Sequence, residues 1–298
     1  MAAQSNFRLE RPFSCFLVQA TVALGILVLP GCASSPQAPP KAVAHTPAEA
    51  IVNQIWDITH TDELFESLPL KMPIQEMLDD RFRDLPVDYQ AKIHALLDKN
   101  MESNKLQRML KSHLLKDFKL AKAQDVVEFY ETPLGKFYGA AGHAFDPQDP
   151  VFKVFVEGPQ PNPARFEQLA QLLTASGSAK FASLTLITPI ETVFFELEHQ
   201  KRLAGQKPHT EPASELRKSM QSVVKAMHKA MLLTASFVYR DLSEDQMKTL
   251  IKFENSSSSK WYNTALLKAY EKTLQVSMRR FTRQLLAFIQ KEPLAPAP

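Results

Sequence analysis

Residues 126–138 read VVEFYETPLGKFY. A helix ending in Phe129-Tyr130 meets Thr132-Pro133, where a threonine hydroxyl can cap the following turn and a proline, lacking an N–H, fits the first helical position. Gly135 has no side chain and admits the preceding helix at close range, and Phe129, Tyr130, Phe137 and Tyr138 supply the rings that fill the angle between the two helices. Sliding the chain on itself by 124 residues places this stretch over LIKFENSSSSKWY (250–262) without a gap. Phe129 then pairs with Phe253, Lys136 with Lys260 and Tyr138 with Tyr262, and Phe137 faces Trp261. Upstream, Thr46-Pro47-Ala48 resembles Asn162-Pro163-Ala164, so the second copy is the longer by eight residues. A helix-corner-helix pattern occurring twice predicts two related multi-helix units. In the second copy Asn255 to Ser259 replaces the turn: Ser or Asn still offers a cap, while the proline and glycine are lost.

The first corner carries a resemblance. Phe129, Tyr130, Thr132, Pro133, Gly135 and Lys136 resemble the signature of the bacterial domain-of-unknown-function family 2059, a helix ending in Phe-Tyr followed by Ser/Thr-Pro-x-Gly-Arg/Lys. The likeness covers roughly residues 47–145, and residues 163–290 read as a degenerate copy. It implies a helical, exported protein with no established activity, and it supplies no catalytic residues.

The remaining sequence agrees with an all-α fold. Only 8 glycines stand against 21 prolines, which disfavours Gly-rich phosphate loops, nucleophile elbows and hairpin-rich sheets. Pro73, Pro86, Pro133, Pro163, Pro189 and Pro212 each stand near the start of a segment with helical periodicity. Thr46-Pro47-Ala48-Glu49 reads as a capping box opening the first helix. Ile93, Leu96, Leu97 and Met101 mark one helix, and Leu106, Met109, Leu110 and Leu114 the next. Leu216, Met220, Val223, Met227 and Met231 share a face of a long helix over about 212–239. The one strand-like stretch is VFKVFV, 151–156, within the Asp/Pro-rich connector 146–162. Residues 46–145 and 163–290 are thus the expected units, with a tail at 291–298.

The N-terminus speaks to location. Arg8 and Arg11 precede an apolar run, CFLVQATVALGILVL (15–29), which is the length of a signal-peptide core and short of the about 20 residues that cross a bilayer. It ends Leu29-Pro30-Gly31-Cys32, which resembles a bacterial lipobox, with Pro30 in the place of a small residue. Two processings fit: cleavage before Cys32 followed by its acylation, or cleavage after Ala33, which discards Cys32. The order of charged region, apolar core, Gly-Cys pair and Pro-rich tether (33–45) favours the first. Residues 1–31 then form the signal peptide, Cys32 the lipid attachment point, and the mature chain of 267 residues carries a net charge of +2. Cys15 leaves with the signal and Cys32 is acylated, so neither thiol nor disulfide chemistry remains. Ala33 after the cysteine is not the Asp associated with inner-membrane retention, so the outer membrane, facing the periplasm, is the expected location.

Catalytic patterns are sparse. The eight histidines include no HExxH and no i,i+3 or i,i+4 pair, so no metal site or cofactor is expected. His199, near Glu196 and Glu198, reads as a surface or boundary residue. Ser-x-x-Lys occurs at Ser257–Lys260 and Ser222–Lys225, without the Ser-Asp-Asn and Lys-Thr-Gly partners that chemistry needs. The neighbouring carboxylates Asp79 and Asp80 point about 100° apart on a helix and do not converge. Arg279, Arg280 and Arg283 lie near the end of the last long helix, where positive charge complements the macrodipole or meets anionic headgroups. No nucleic-acid partner is expected at so small a surplus of charge. The expectation is a non-catalytic interaction or scaffold protein of the cell envelope with an envelope protein as partner. The alternative is a carrier holding a lipid or other apolar ligand, faced by Tyr130, Tyr138, Met220, Met227 and Met231. An unrecognised envelope hydrolase is the third and weakest reading.

Overall fold

The computed structural model describes residues 46–61, 71–141, 146, 149–158, 162–203 and 212–291, and every regular element among them is helical. Cys32, the tether and residues 292–298 lie outside the described residues. The order is α1 (Pro47–Ile58), α2 (Met72–Arg81), α3 (Val87–Asn100), α4 (Ser103–Leu114) with a 3-10 turn at Leu115–Asp117, α5 (Leu120–Glu131), α6 (Pro133–Ala141), α7 (Pro150–Glu157), α8 (Pro163–Ala175), α9 (Ser178–Leu203), α10 (Pro212–Val238), α11 (Glu244–Glu254) and α12 (Ser257–Lys291). The all-α architecture read from the sequence is the architecture of the described residues.

Proline is the first residue of α1, α6, α7, α8 and α10, where its missing N–H breaks no intrahelical bond. Thr46 and Glu49 close the capping box of α1: Glu49 N–H donates to Thr46 Oγ1 at 3.3 Å, and Thr46 N–H donates to Glu49 Oε2 at 2.8 Å. Two local expectations are corrected. Residues 151–156 are helical, because Asp149 Oδ1 accepts from Val151 N–H at 2.8 Å and Pro150 starts the turn. Phe152 and Phe155, three apart, then both pack on Phe237 of α10, at 5.2 and 5.4 Å between ring centroids. β-rich composition yields here to an N-cap and a partner surface. Pro189 stands inside α9 rather than at its start. The punctuation lies upstream at Gly177, whose φ of 74° breaks the chain direction between α8 and α9. Pro189 has no N–H to give to the carbonyl of Thr185, and its ring is buried.

The main core gathers Val52, Ile55 and Trp56 of α1, Ile93 and Leu97 of α3, Leu106, Leu110 and Leu114 of α4, and Val126 and Val127 of α5. Those of α3, α4 and α5 pack against one face of α12, from Tyr262 through Tyr270, Leu274, Met278 and Phe281 to Leu285, joined by Val193 of α9, and α1 completes this core by packing on α5. A smaller cluster holds Leu169 and Leu172 of α8, Ala235 of α10, and Met247 and Leu250 of α11, with Phe129, Leu134 and Tyr138 packed against it from the first copy. Within each copy the opening helix packs on the helix before the corner: α1 on α5, and α8 on α11. The two copies share their interior, since α12 of the second forms the floor of the first.

Candidate functional site

The corner motif occurs twice in the sequence, and its two copies meet in space. At the first, Thr132 N–H donates to the Phe129 carbonyl (3.0 Å), Gly135 N–H donates to Thr132 Oγ1 (3.0 Å), and Lys136 N–H donates to the Thr132 carbonyl (2.8 Å). At the second, Ser256 N–H donates to Phe253 O (2.8 Å), Ser259 N–H to Ser256 Oγ (3.1 Å), and Lys260 N–H to Ser256 O (3.0 Å). These are the same three bonds, 124 residues apart, so the cap hydroxyl preserves the corner where proline and glycine are gone. What changes is how closely the two helices approach. A Cβ on Gly135 would fall on the Phe129 carbonyl and within 2.7 Å of the Tyr130 Cα. Ser259 holds that position in the second copy, and α11 and α12 there touch far less than α5 and α6 do.

Across the junction, the repeat-related rings of Phe129 and Phe253 stack on each other at 3.5 Å between centroids and 8° between planes. Tyr130 meets Phe253 edge-on at 5.7 Å and lies parallel to Tyr138 at 6.2 Å. Tyr239, in the turn just after α10, closes the other side of Tyr138 at 6.0 Å. Beside the stack lies Glu254, 2% exposed. Its carboxylate accepts from Tyr138 Oη (2.8 Å), Ser259 Oγ (2.5 Å) and Asn263 Nδ2 (2.8 Å), all neutral donors. Burial pushes the phenols of Tyr130 and Tyr138 well above their ordinary range, and the charge of Glu254 pushes them further. Tyr239 and Tyr262 are raised chiefly by burial. Neutral phenols surrounding a carboxylate that already accepts three hydrogen bonds form a joint between the copies. Sequence reading missed Glu254. Its signal was a charged residue opposite Tyr130 in an otherwise apolar column of the repeat.

The other candidates are dispersed. Pro133 and Lys136 are exposed, and Lys136 borders an open groove of about 610 Å³ between α1 and the first corner, with Gln54, Asp57 and Glu131. A second groove of about 490 Å³ lies between α8 and α11, lined by Gln168, Gln171, Lys248 and Asn255. Glu131 and Asn255, which line the two grooves, are 124 residues apart and so hold equivalent positions. Met227 and Met231 are half-buried on α10, and the side chain of Met220 lies outside the described residues. Tyr130 and Tyr138 face one another and the second copy. Asp79 pairs with His94 Nε2 at 2.8 Å and Asp80 with Arg83 at 2.6 Å, so the two carboxylates separate. Ser258 Oγ donates to Asp125 at 2.6 Å, and Ser222 and Lys225 are both exposed. Among the described residues no three His, Cys, Asp or Glu side chains gather as a metal site would require, and no helix is long and apolar enough to cross a membrane. The chain matches no family model, no curated protein and no solved structure.

Proposed function

We propose that this chain is a bacterial envelope lipoprotein, anchored at the outer membrane through acylated Cys32, whose helical body is a non-catalytic scaffold for another envelope protein. The observation that carries the scaffold reading is the joint itself. Phe129 against Phe253 and Tyr138 on Glu254 turn the side chains of the repeated motif toward each other, so the motif serves architecture and leaves the outer faces to a partner. The location rests on the order of charged region, 15-residue apolar run, Gly31-Cys32 and tether. The motif at 129–136 links the chain to the exported helical proteins it resembles. Two open grooves at related places, each edged by glutamine, lysine and carboxylate or amide side chains, offer a polar partner two similar footholds.

A photoreactive amino acid placed at Gln54 or Gln171 in intact cells tests this. One protein captured from both positions, and not from exposed Asp84, is the expected result; an absence of adducts at both grooves overturns it. Metabolic labelling with an acyl-chain analogue tests the anchor, since Cys32→Ser must abolish label and membrane association. Native mass spectrometry showing a reproducible apolar adduct would replace the scaffold by a carrier.

A further inference from the structure

Arg279, Arg280 and Arg283 are close in sequence, and the tertiary structure separates Arg280 from Arg283. Arg283 Nε pairs with Glu196 of α9 at 2.7 Å, where burial opposes ionisation and the hydrogen bonds from Arg283 and Gln200 overcome it, holding that carboxyl below its ordinary range. Arg280 turns the other way, toward α4.

The pairing of α4 with α12 explains the company Arg280 keeps. Asn100 Nδ2, just before α4, donates to Gln284 Oε1 at 2.8 Å, and Asp117, just after it, pairs with Lys268 at 2.8 Å. The two helices therefore run antiparallel, and numbers rise on one as they fall on the other. This register sets Lys105 beside Arg280 and His113 beside Lys272. Lys99 and Arg108 flank Lys105, whose ammonium is lowered first by partial burial and then by Arg280. Lys116 and Lys272 flank His113, whose imidazole is lowered first by burial and then by those two cations. Lys99, Arg108, Lys116, Lys272 and Arg280 are exposed, and Lys105 is half-buried with Nζ donating to the Lys99 carbonyl at 3.3 Å. Of the carboxylates at the margins, Asp98 is paired with Lys71 and Asp117 with Lys268, both outside this group, which leaves Glu102 beside Lys105. From Lys105 to Lys116 the strip extends about 16 Å along the helix.

We propose that this strip of six cations on the α3–α4–α12 face rests on the anionic headgroups of the membrane that holds the anchor. The charge is complementary to a leaflet of acidic lipid and is spread along two helices, which suits a plane of phosphates rather than one enclosed anion. The helix that follows the tether packs beside this face. Lys111 of α4 lies over the Trp56 ring of α1 at 4.3 Å, α1 also touches the turn at 115–117, and the chain leaves α1 at Thr46 toward the tether. Thirteen tether residues reach at most about 45 Å, which keeps the face within range of the leaflet. This inference rests on the membrane-anchored reading above.

The test uses the full chain carrying Cys32→Ser, as purified from cells, with vesicles of phosphatidylcholine alone or with one part in three of phosphatidylglycerol. Binding through the N-terminal segment, which carries Arg8 and Arg11, is common to the parent chain and its variants and cancels in their comparison. At low salt the acidic lipid is expected to tighten binding about tenfold, and half-molar salt to remove that gain. Lys105→Glu with Arg280→Glu is expected to abolish the gain while circular dichroism keeps its helical minima. Lys116→Glu with Lys272→Glu serves as an independent pair should the first disturb folding. No gain from acidic lipid, a gain untouched by both pairs, or a DNA duplex bound as tightly as the acidic vesicles overturns the proposal. The anchor is read separately, by the acyl label on Cys32, so either reading can fail alone.

Discussion

Gly135 is the residue on which the first corner turns. A methyl group there would meet backbone, the Phe129 carbonyl and the Tyr130 Cα, which cannot rotate away as a side chain would. Gly135→Ala is therefore expected to cost about 3 kcal/mol in urea unfolding, at the upper end of ordinary overpacking. Buried phenols give a second expectation. Burial raises Tyr262 and Tyr270, 6% and 0% exposed, above the about 10 of an unfolded tyrosine. The folded state thus keeps these protons longer than the unfolded state does. Their stabilisation is intact below about pH 10 and is lost as the pH rises beyond it, at up to about 1.4 kcal/mol per pH unit for each. Urea midpoints measured from pH 8 to 11 should fall above pH 10, and less steeply in Tyr270→Phe. Gly135 was legible as a place where helices approach, because only glycine offers that room. The buried state of Tyr262 was not, because a tyrosine at a helix junction is compatible with either surface or core.

At the scale of the element, the corner is defined by a hydroxyl. Thr132 and Ser256 each accept one N–H from three residues ahead, at 3.0 and 3.1 Å. Thr132→Ala and Ser256→Ala are each expected to cost about 1 kcal/mol despite the different sequences around them. A loss confined to Thr132→Ala would mean that the second corner is held by packing alone. Capping, proline and helical periodicity are local quantities, so α1, α3, α4, α8 and α10 could be placed from the chain alone. The errors fell where a local rule met a stronger neighbour. VFKVFV has the composition of a strand, and Asp149, Pro150 and the Phe237 ring make it α7. Pro189 has the look of a start, and the left-handed Gly177 had already begun the helix.

At the scale of the molecule, α12 is common to both copies. Its buried face from Tyr262 to Leu285 is the floor of the first copy's core, and the Phe129–Phe253 stack bonds the corners. The two copies are therefore expected to unfold as one cooperative body. Trp56 is fully buried in the first copy, and Trp261 Nε1 of the second donates to the Asp117 carbonyl of the first at 3.1 Å. Fluorescence of Trp56 in Trp261→Phe, and of Trp261 in Trp56→Phe, should report urea transitions at the same fraction of each variant's stability, each coinciding with circular dichroism. Two separated transitions in either variant would show units that fold alone.

The sequence by itself determined the helical class and most helix starts, because caps, prolines and apolar periodicity act within a few residues of one another. Only the tertiary structure decided that the copies interlock, that Phe129 lies on Phe253, that Glu254 is enclosed by neutral donors, and that Arg283 and Arg280 part company. Each of these depends on contacts between residues about a hundred or more apart or on a helix register, and no local preference encodes which face meets which.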